Sequence, residues 1–180
     1  MLKHWEKIGT KVLFQNPWWT YKLDRFDIPD GITGEYHYVH TNGSSMVIPI
    51  RADGKIILVN QFRYLCDRES LEFPCGSVKD GMSHLETAQS ELEEEAGYRS
   101  NQLELAGEFN PYNGVTSEIC RVFIASKLEV SGATPDDTEE FELMYHTPEE
   151  IDVLIRQRSI WDGMTLAAWI LAREDVFKRV

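Results

Sequence analysis

The chain has 180 residues, a formal net charge of −12 and a hydrophobic share of 42%. That apolar share predicts an ordered globular protein, and the acidic balance argues against a nucleic acid or an anionic membrane as its partner. No apolar run approaches the roughly 20 residues that span a bilayer, and the N-terminal segment lacks the apolar stretch of a secretion signal. We therefore expect a cytoplasmic protein.

The first half of the chain is typical of β structure. Residues 16–45 predict two strands joined by a turn at Asp30–Gly31, with a second turn at Asn42–Gly43. The apolar runs MVIPI and KIILVNQFRY, separated by RADG, predict another hairpin. The segment LEFPCG then predicts a short extended stretch that ends at Gly76.

The next segment predicts a helix with a clear beginning and end. Ser83 is a good N-cap, and Glu86, three residues later, completes a capping box. Gly97 is placed to terminate the helix. The apolar positions that recur at helical spacing are Ala88, Leu92 and Ala96.

The second half mixes strands and helices. QLELAGEFN and EICRVFIASKLEV predict strands around the loop PYNGVTSE, and an acidic loop precedes a strand FELMYH. Thr147 and Pro148 open a second helix. A last helix is expected over residues 165–178, with Leu166, Trp169 and Ile170 facing inward. Without strict alternation of strand and helix, this order predicts an α+β fold with a mixed sheet.

The three cysteines predict no disulfide framework. Cys66, Cys75 and Cys120 form no CxxC pair, and their number is odd. We expect all three to be reduced structural residues.

Three carboxylates crowd one stripe of the first helix. Glu91 is followed by Glu94 and Glu95 at i+3 and i+4, so all three share a face, although like charges one turn apart destabilise a helix. Either the run is a solvated surface, or the carboxylates converge on a hard cation. Mg²⁺ takes oxygen ligands and suits a site that it shares with substrate phosphates.

The whole stretch resembles the Nudix box. The matching positions are Gly76, Glu91, Leu92, Glu94, Glu95, Gly97 and, in the last apolar place, Tyr98. The flanking segments NPWWTYKLDRFDIPDG, VNQFRY, LEFPCG, NPYNGVTSE and DGMTLAAWILA look like the ADP-ribose and nucleotide-sugar pyrophosphatase branch of that family. The resemblance implies an α/β/α sandwich with a mixed central sheet over residues 46–180. It also implies a small antiparallel β appendage over residues 1–45 that contributes to dimerisation and substrate contacts.

Two positions depart from the box. Met82 stands where the pattern has its first Glu, and Ser90 stands where it has Arg. In the family those two residues pair and brace the loop against the helix, and the Arg orients a catalytic Glu. We therefore expect the fold to survive and the rate to be reduced.

The resemblance implies roles for named residues. It implies Glu91 and Glu95 as the principal metal ligands, Glu94 as a third ligand or as the holder of a metal-bound water, and the backbone carbonyl of Cys75 and Glu118 as further ligands. It implies that Arg63, Glu72, Trp18 and Trp19 contact substrate. The general base is expected at Glu139, with Glu140 the next choice.

The function implied is hydrolysis, with Mg²⁺ or Mn²⁺, of the diphosphate bond in a nucleoside diphosphate derivative such as ADP-ribose or a nucleotide sugar. A homodimer is implied as well. One alternative is a Nudix-fold protein that binds a nucleotide without hydrolysing it, which the departures at Met82 and Ser90 favour. The third candidate, after the hydrolase and the nucleotide binder, is an interaction domain whose acidic helix docks a basic partner.

Overall fold

A computed structural model describes residues 2–29, 31–132 and 140–180. The chain forms two compact units. The first comprises Met1–Asn42 and Asn110–Glu118, and the second comprises Gly43–Phe109 and Ile119–Val180.

The first unit is an antiparallel sheet of three strands in the order β1-β2-β3. The strands are β1 (Glu6–Gln15), β2 (Thr20–Ile28) and β3 (Ile32–His40). The turn predicted between β2 and β3 is confirmed: Gly31 has a φ of +82° and donates its N–H to the Ile28 carbonyl. The sequence did not reveal β1, because every side chain along it is exposed and no burial alternation marks it.

The segment Asn110–Glu118 packs on this sheet within the first unit. Val39 donates its N–H to the Val115 carbonyl at 2.9 Å, and Ser117 donates to the Val39 carbonyl at 3.0 Å. The Tyr36 hydroxyl donates to the Gly114 carbonyl at 2.9 Å. The loop is thus held by backbone bonds to β3.

The second unit contains the remaining strands and the helices. Its strands are β4 (Ser44–Pro49), β5 (Ile56–Arg63), β6 (Arg68–Glu72), β7 (Cys75–Ser77), β8 (Tyr98–Arg99), β9 (Gln102–Phe109), β10 (Cys120–Ser126), β11 (Glu129–Val130) and β12 (Glu142–His146). Its helices are α1 (His84–Glu94), α2 (Pro148–Arg156) and α3 (Gly163–Phe177).

The main sheet of this unit has the order β7-β4-β10-β9 and is mixed, because β4 and β10 run parallel while the other pairs are antiparallel. A second sheet has the antiparallel order β12-β5-β6, and β11 pairs with β8. The predicted turn between β4 and β5 forms, with the Arg51 N–H donating to the Lys55 carbonyl at 2.8 Å. The predicted hairpin is nevertheless wrong beyond one bridge, Ile50 to Ile56, because the two strands diverge into different sheets.

The core lies on both faces of the main sheet. Along β4, Met46 and Ile48 belong to the apolar cluster that includes Trp169 of α3, whereas Val47 belongs to the cluster that includes Leu92 of α1. This alternation is the period of two that a strand imposes on its side chains. Helices therefore cover the sheet from both sides.

The helix ends follow the predicted signals. Ser83 accepts from the Glu86 N–H, and the Glu86 carboxylate accepts from the Ser83 N–H at 2.8 Å, so the capping box is present. Thr147 and Glu150 form a second box before α2. Gly97 ends the first helix with a φ of +71° and donates to the Glu93 carbonyl.

One predicted packing direction in α3 is wrong. Trp169 is buried as expected, but Ile170 is 79% exposed. The helix is apolar on most of its surface, so its residue spacing did not identify the inner face.

The α+β class, the mixed sheet between helices and the antiparallel N-terminal sheet are all as predicted. The cysteines in the structure are free, as expected. Within the described residues, no helix has the length and apolar character needed to cross a membrane.

Candidate active site

The carboxylate of Glu91 lies directly against the backbone of Gly76. Glu91 is only 8% exposed, although glutamate side chains are mostly exposed, and it lies near the C-terminal end of α1. A Cβ atom added to Gly76 would lie 2.0 Å from Glu91 Oε1, a distance no real contact reaches. Glycine at position 76 is what lets this carboxylate approach β7.

Glu95 is fixed to the same strand one turn later. It is 6% exposed, and its Oε2 accepts a hydrogen bond of 3.0 Å from the Cys75 N–H. Two nearly buried carboxylates thus meet consecutive residues of β7. Since burying a charge is costly unless it is compensated, this stripe is not a solvated acidic surface.

Cys75 contacts the Glu95 carboxylate through its backbone N–H, not through its thiol. A hydrogen bond with Cys120 and then burial raise the pKa of the Cys75 thiol well above its usual range. The thiol therefore stays protonated at neutral pH, and a protonated thiol is a poor ligand. The predicted use of the Cys75 carbonyl as a ligand stays a prediction, because the backbone group that contacts Glu95 is the N–H.

Glu94 is half-buried on the same stripe. Its Oε1 accepts a hydrogen bond of 2.6 Å from the Ser90 hydroxyl, one turn earlier on α1. Position 90 is one of the two departures from the box.

The start of α1 is tied to β4 by a contact that the sequence did not reveal. His84 Nδ1 lies 3.0 Å from the Ser44 carbonyl oxygen and 3.1 Å from Ser45 Oγ. The Ser45 hydroxyl donates to the His84 carbonyl at 2.9 Å. The partners are about 40 residues apart in the chain, so no local pattern could have indicated them.

The donor set at β7 fits a hard divalent cation. Within the described parts of the chain, no group of three His, Cys, Asp or Glu side chains is gathered around one point as a complete metal cage. Mg²⁺ does not require such a cage, since it is held by one or two carboxylates, waters and substrate phosphates. Glu91 and Glu95 supply carboxylate oxygens, the donor type that such an ion prefers, beside consecutive residues of β7.

Arg63 and Glu72 are brought together as an ion pair. Arg63 Nε donates to Glu72 Oε1 at 2.8 Å, and Arg63 Nη2 donates to Glu72 Oε2. The Glu72 side chain is 3% exposed and that of Arg63 is 46% exposed. The pair raises the pKa of Arg63, chiefly through this hydrogen bond.

Three predicted residues belong to the first unit. Trp18 is 75% exposed. The backbone N–H groups of Trp18 and Trp19 both donate to Asn16 Oδ1, at 2.9 Å each. Trp19 is 38% exposed and its ring lies 5.5 Å from that of Phe14. The Glu118 N–H donates to Thr116 Oγ1 at 3.0 Å.

The two predicted general bases, Glu139 and Glu140, precede β12 in the chain. Glu139 lies outside the described residues. Glu140 is exposed and lines a cleft of about 280 Å³ with Phe62, Glu69 and Glu142, on the β12-β5-β6 sheet. The helix carboxylates, by contrast, lie at β7 in the other sheet.

Comparison with protein families decides what kind of chain this is. The NUDIX domain matches residues 40–167, well over half of the chain and all of the box. The chain belongs to the Nudix family. The predicted family and enzyme class, a Nudix pyrophosphohydrolase, are thereby confirmed.

Individual relatives of this Nudix protein cover most of its length. It is 34% identical to an ADP-ribose pyrophosphatase of Bacillus subtilis over 81% of the chain and 80% of that protein. It is 30% identical to a methanol dehydrogenase activator of Bacillus methanolicus over 89% of the chain and 88% of that protein. A crystal structure of an ADP compounds hydrolase superposes with a TM-score of 0.85 at 20% identity, covering 99% of this chain and 97% of that one, and so shares the fold.

Proposed function

We propose that this Nudix protein is a divalent-metal-dependent pyrophosphohydrolase that cleaves the diphosphate bond of a nucleoside diphosphate derivative. The observation that carries the proposal is the pair of nearly buried carboxylates, Glu91 and Glu95, set against the backbone of Cys75 and Gly76. Oxygen donors with this charge and burial suit Mg²⁺ or Mn²⁺.

The residues that would hold the ion are Glu91, Glu95 and the Cys75 carbonyl, with Glu94 and Glu118 as further candidates. A bound Mg²⁺ would neutralise diphosphate charge and make hydroxide available near neutral pH. Glu94 is suited to orient a water, because its carboxylate is itself held by Ser90. Glu139 or Glu140 would accept a proton from the attacking water.

ADP-ribose is the substrate that we propose first, with a nucleotide sugar as the next choice. The similarity to the Bacillus subtilis ADP-ribose pyrophosphatase supports this order. The half-exposed Arg63 guanidinium, held in place by Glu72, is suited to contact a phosphate. The exposed ring of Trp18, with Trp19 beside it, is suited to stack on a base.

We propose that the protein forms a homodimer and is located in the cytoplasm. The apolar side chains exposed along β1, among them Val12 and Phe14, support a second copy as the partner. We propose that residues 1–45 act as the dimerising and substrate-contacting appendage to a catalytic domain of residues 46–180.

The competing candidate is a Nudix-fold protein that binds a nucleotide without hydrolysing it. Met82 and Ser90, which replace the usual Glu and Arg, favour that alternative. The retained carboxylates at 91, 94 and 95 favour hydrolysis. The burial of Glu91 and Glu95 weighs against the third candidate, an acidic helix that docks a basic protein, since these charges do not face solvent.

A substrate panel tests the proposal. ADP-ribose and several nucleotide sugars are incubated with Mg²⁺ or Mn²⁺, and phosphate is measured after coupling to a phosphatase. Glu95→Gln is the control, because an amide oxygen can still accept from the Cys75 N–H while the charge is removed. We expect metal-dependent release from ADP-ribose that this variant loses. Nucleotide binding without release in the parent would favour the competing candidate.

A further inference from the structure

The hydrogen bond between Ser90 and Glu94 lies at a position where the chain departs from the Nudix box. The Ser90 hydroxyl donates to Glu94 Oε1 at 2.6 Å, within one turn of α1. That length is typical of a hydroxyl bonded to an ionised carboxylate, a bond roughly twice as strong as one between neutral groups.

Serine is not among the residues that favour a helix interior most. It forms helix less readily than Ala, Gln or Arg, because its hydroxyl competes for backbone groups. In a helix interior that hydroxyl commonly bonds back to the carbonyl four residues earlier. Here the Ser90 hydroxyl instead donates to the carboxylate of Glu94, four residues later in the helix.

The other two carboxylates of the stripe already have fixed positions. Glu91 is buried against Gly76, and Glu95 accepts from the Cys75 N–H. Glu94 is only half-buried, and a glutamate side chain that is not fully packed has several rotamers open to it. A bond to one of its oxygens selects among those rotamers and so sets the direction of the other oxygen.

We propose that Ser90 is a positioning residue for Glu94, taking over with a hydroxyl the orienting role that the Nudix box gives to Arg at this place. This inference rests on the proposed function, because it assumes that Glu94 acts on a bound ion or its water. The replacement is short, carries no charge and needs no Glu at position 82.

The test compares Ser90→Ala with Ser90→Thr, which keeps a hydroxyl at the same branch point. Gln89→Ala is the matched control, since Gln89 is the exposed neighbour on α1. Each variant is also made with Glu94→Gln. The measurements are the Mn²⁺ dissociation constant by electron paramagnetic resonance, the melting temperature, and kcat and KM for ADP-ribose.

The expected pattern separates positioning from mere support of the helix. Ser90→Ala should weaken Mn²⁺ binding or lower kcat by about tenfold to a hundredfold, the usual cost of losing a residue that orients a ligand. Its KM should stay within about threefold, and its melting temperature should not fall, because Ala is the better helix former. Ser90→Thr should restore most of the loss, and Gln89→Ala should resemble the parent.

The Glu94→Gln background shows whether the effect passes through Glu94. There, Ser90→Ala should add little, since residues that act as a unit are not additive. A Ser90→Ala protein with parental Mn²⁺ affinity and parental turnover would overturn the inference and leave the proposed function intact. A parent that binds Mn²⁺ but hydrolyses nothing would end the proposed function, and the affinities alone would then decide the role of Ser90. A parent that binds no Mn²⁺ would overturn both.

Discussion

Gly76 is the residue on which the position of Glu91 depends. No side chain fits at this position while the carboxylate keeps its place, because a Cβ would lie 2.0 Å from Oε1. The atoms that would collide form the end of a long, flexible side chain. The folded protein can therefore accommodate a side chain at position 76 if the Glu91 side chain turns away. The Glu91 carboxylate then loses its place in the site.

Gly76→Ala should consequently separate stability from metal binding. We expect the free energy of unfolding to change by less than about 1 kcal/mol, since Ala in a strand offsets part of the strain. We expect the Mn²⁺ dissociation constant to rise by about tenfold or more, because a ligand has been displaced. Urea unfolding and titration with Mn²⁺ measure the two effects.

Gly163→Ala is the control for this change. It places a methyl group where no heavy atom lies within 4 Å, at the first residue of α3. It should leave both quantities near their parental values. Unchanged Mn²⁺ affinity in Gly76→Ala would show that Glu91 takes no part in holding the ion.

The ion pair of Arg63 and Glu72 makes a second prediction at the scale of residues. Arg63→Met leaves the carboxylate of Glu72, whose side chain is 3% exposed, without the guanidinium that neutralises it. We expect a loss of about 2–4 kcal/mol in the free energy of unfolding, measured with urea. Adding Glu72→Gln should recover part of that loss, because the buried charge is then gone.

The same pair of variants also tests the proposed role of Arg63 with substrate. If Arg63 contacts a phosphate, KM should rise in Arg63→Met and should stay raised in the double variant that regains stability. A double variant less stable than the sum of its single changes would contradict the assignment of the cost to the unpaired carboxylate.

At the scale of elements, α2 and α3 are joined through one carboxylate. Asp152 Oδ1 accepts from Trp169 Nε1 at 2.9 Å, and Asp152 Oδ2 accepts from Arg173 Nη2 at 2.6 Å. The hydrogen bond from Arg173 is the main reason that the pKa of Asp152 is lowered below its usual range. Since the folded-state pKa lies below the unfolded one, the stabilisation is complete above the usual aspartate value and is lost as pH falls through the folded value.

Asp152→Asn should therefore be less stable than the parent by about 1–3 kcal/mol at pH 7. The difference should begin to shrink as the pH falls below about 4, where the aspartate of the unfolded parent takes up a proton, and should keep shrinking until the folded carboxylate is protonated as well. Urea unfolding at pH 7 and at pH 3 measures it. Asp175→Asn is the control, because its partner Lys178 lies on the same helical surface in solvent and should matter little. A difference that stays constant between the two pH values would contradict this assignment.

The elements that could be predicted are those whose signals lie within a few residues. The capping box of Ser83 and Glu86 and the terminating Gly97 define the first helix almost to the residue. The spacing of the box also placed Glu91, Glu94 and Glu95 on one stripe, and the structure shows two of them buried.

What could not be predicted depends on contacts between distant parts of the chain. The divergence of β4 from β5 follows from pairing of β4 with β10, more than 70 residues away. The contact between His84 and Ser44 joins residues 40 positions apart, so only the folded chain brings them together. The strand β1 is exposed along its whole length and therefore has no burial pattern that could reveal it. The bond from Ser90 to Glu94 is local, but a serine can bond backwards or forwards, and the sequence does not distinguish the two.

For the whole molecule, the exposed apolar side chains of the first unit are the feature that calls for a partner. Ile8, Val12 and Phe14 of β1 are each more than half exposed. An apolar surface of this kind on a strand is a hazard for a monomer, since it favours association. The net charge of −12 would keep two copies apart unless apolar burial outweighed the repulsion.

We therefore expect the protein to elute, with light scattering as the detector, at twice the mass of one chain. Val12→Asp combined with Phe14→Asp should shift it to the mass of one chain, because two further charges would have to be buried at the contact. Leu65→Asp is the matched control, since Leu65 is 94% exposed in the second unit and its change removes apolar surface without touching β1. A parent that is monomeric at micromolar concentration would contradict the proposed dimer. Dimers that survive the double change on β1 would place the contact on another surface.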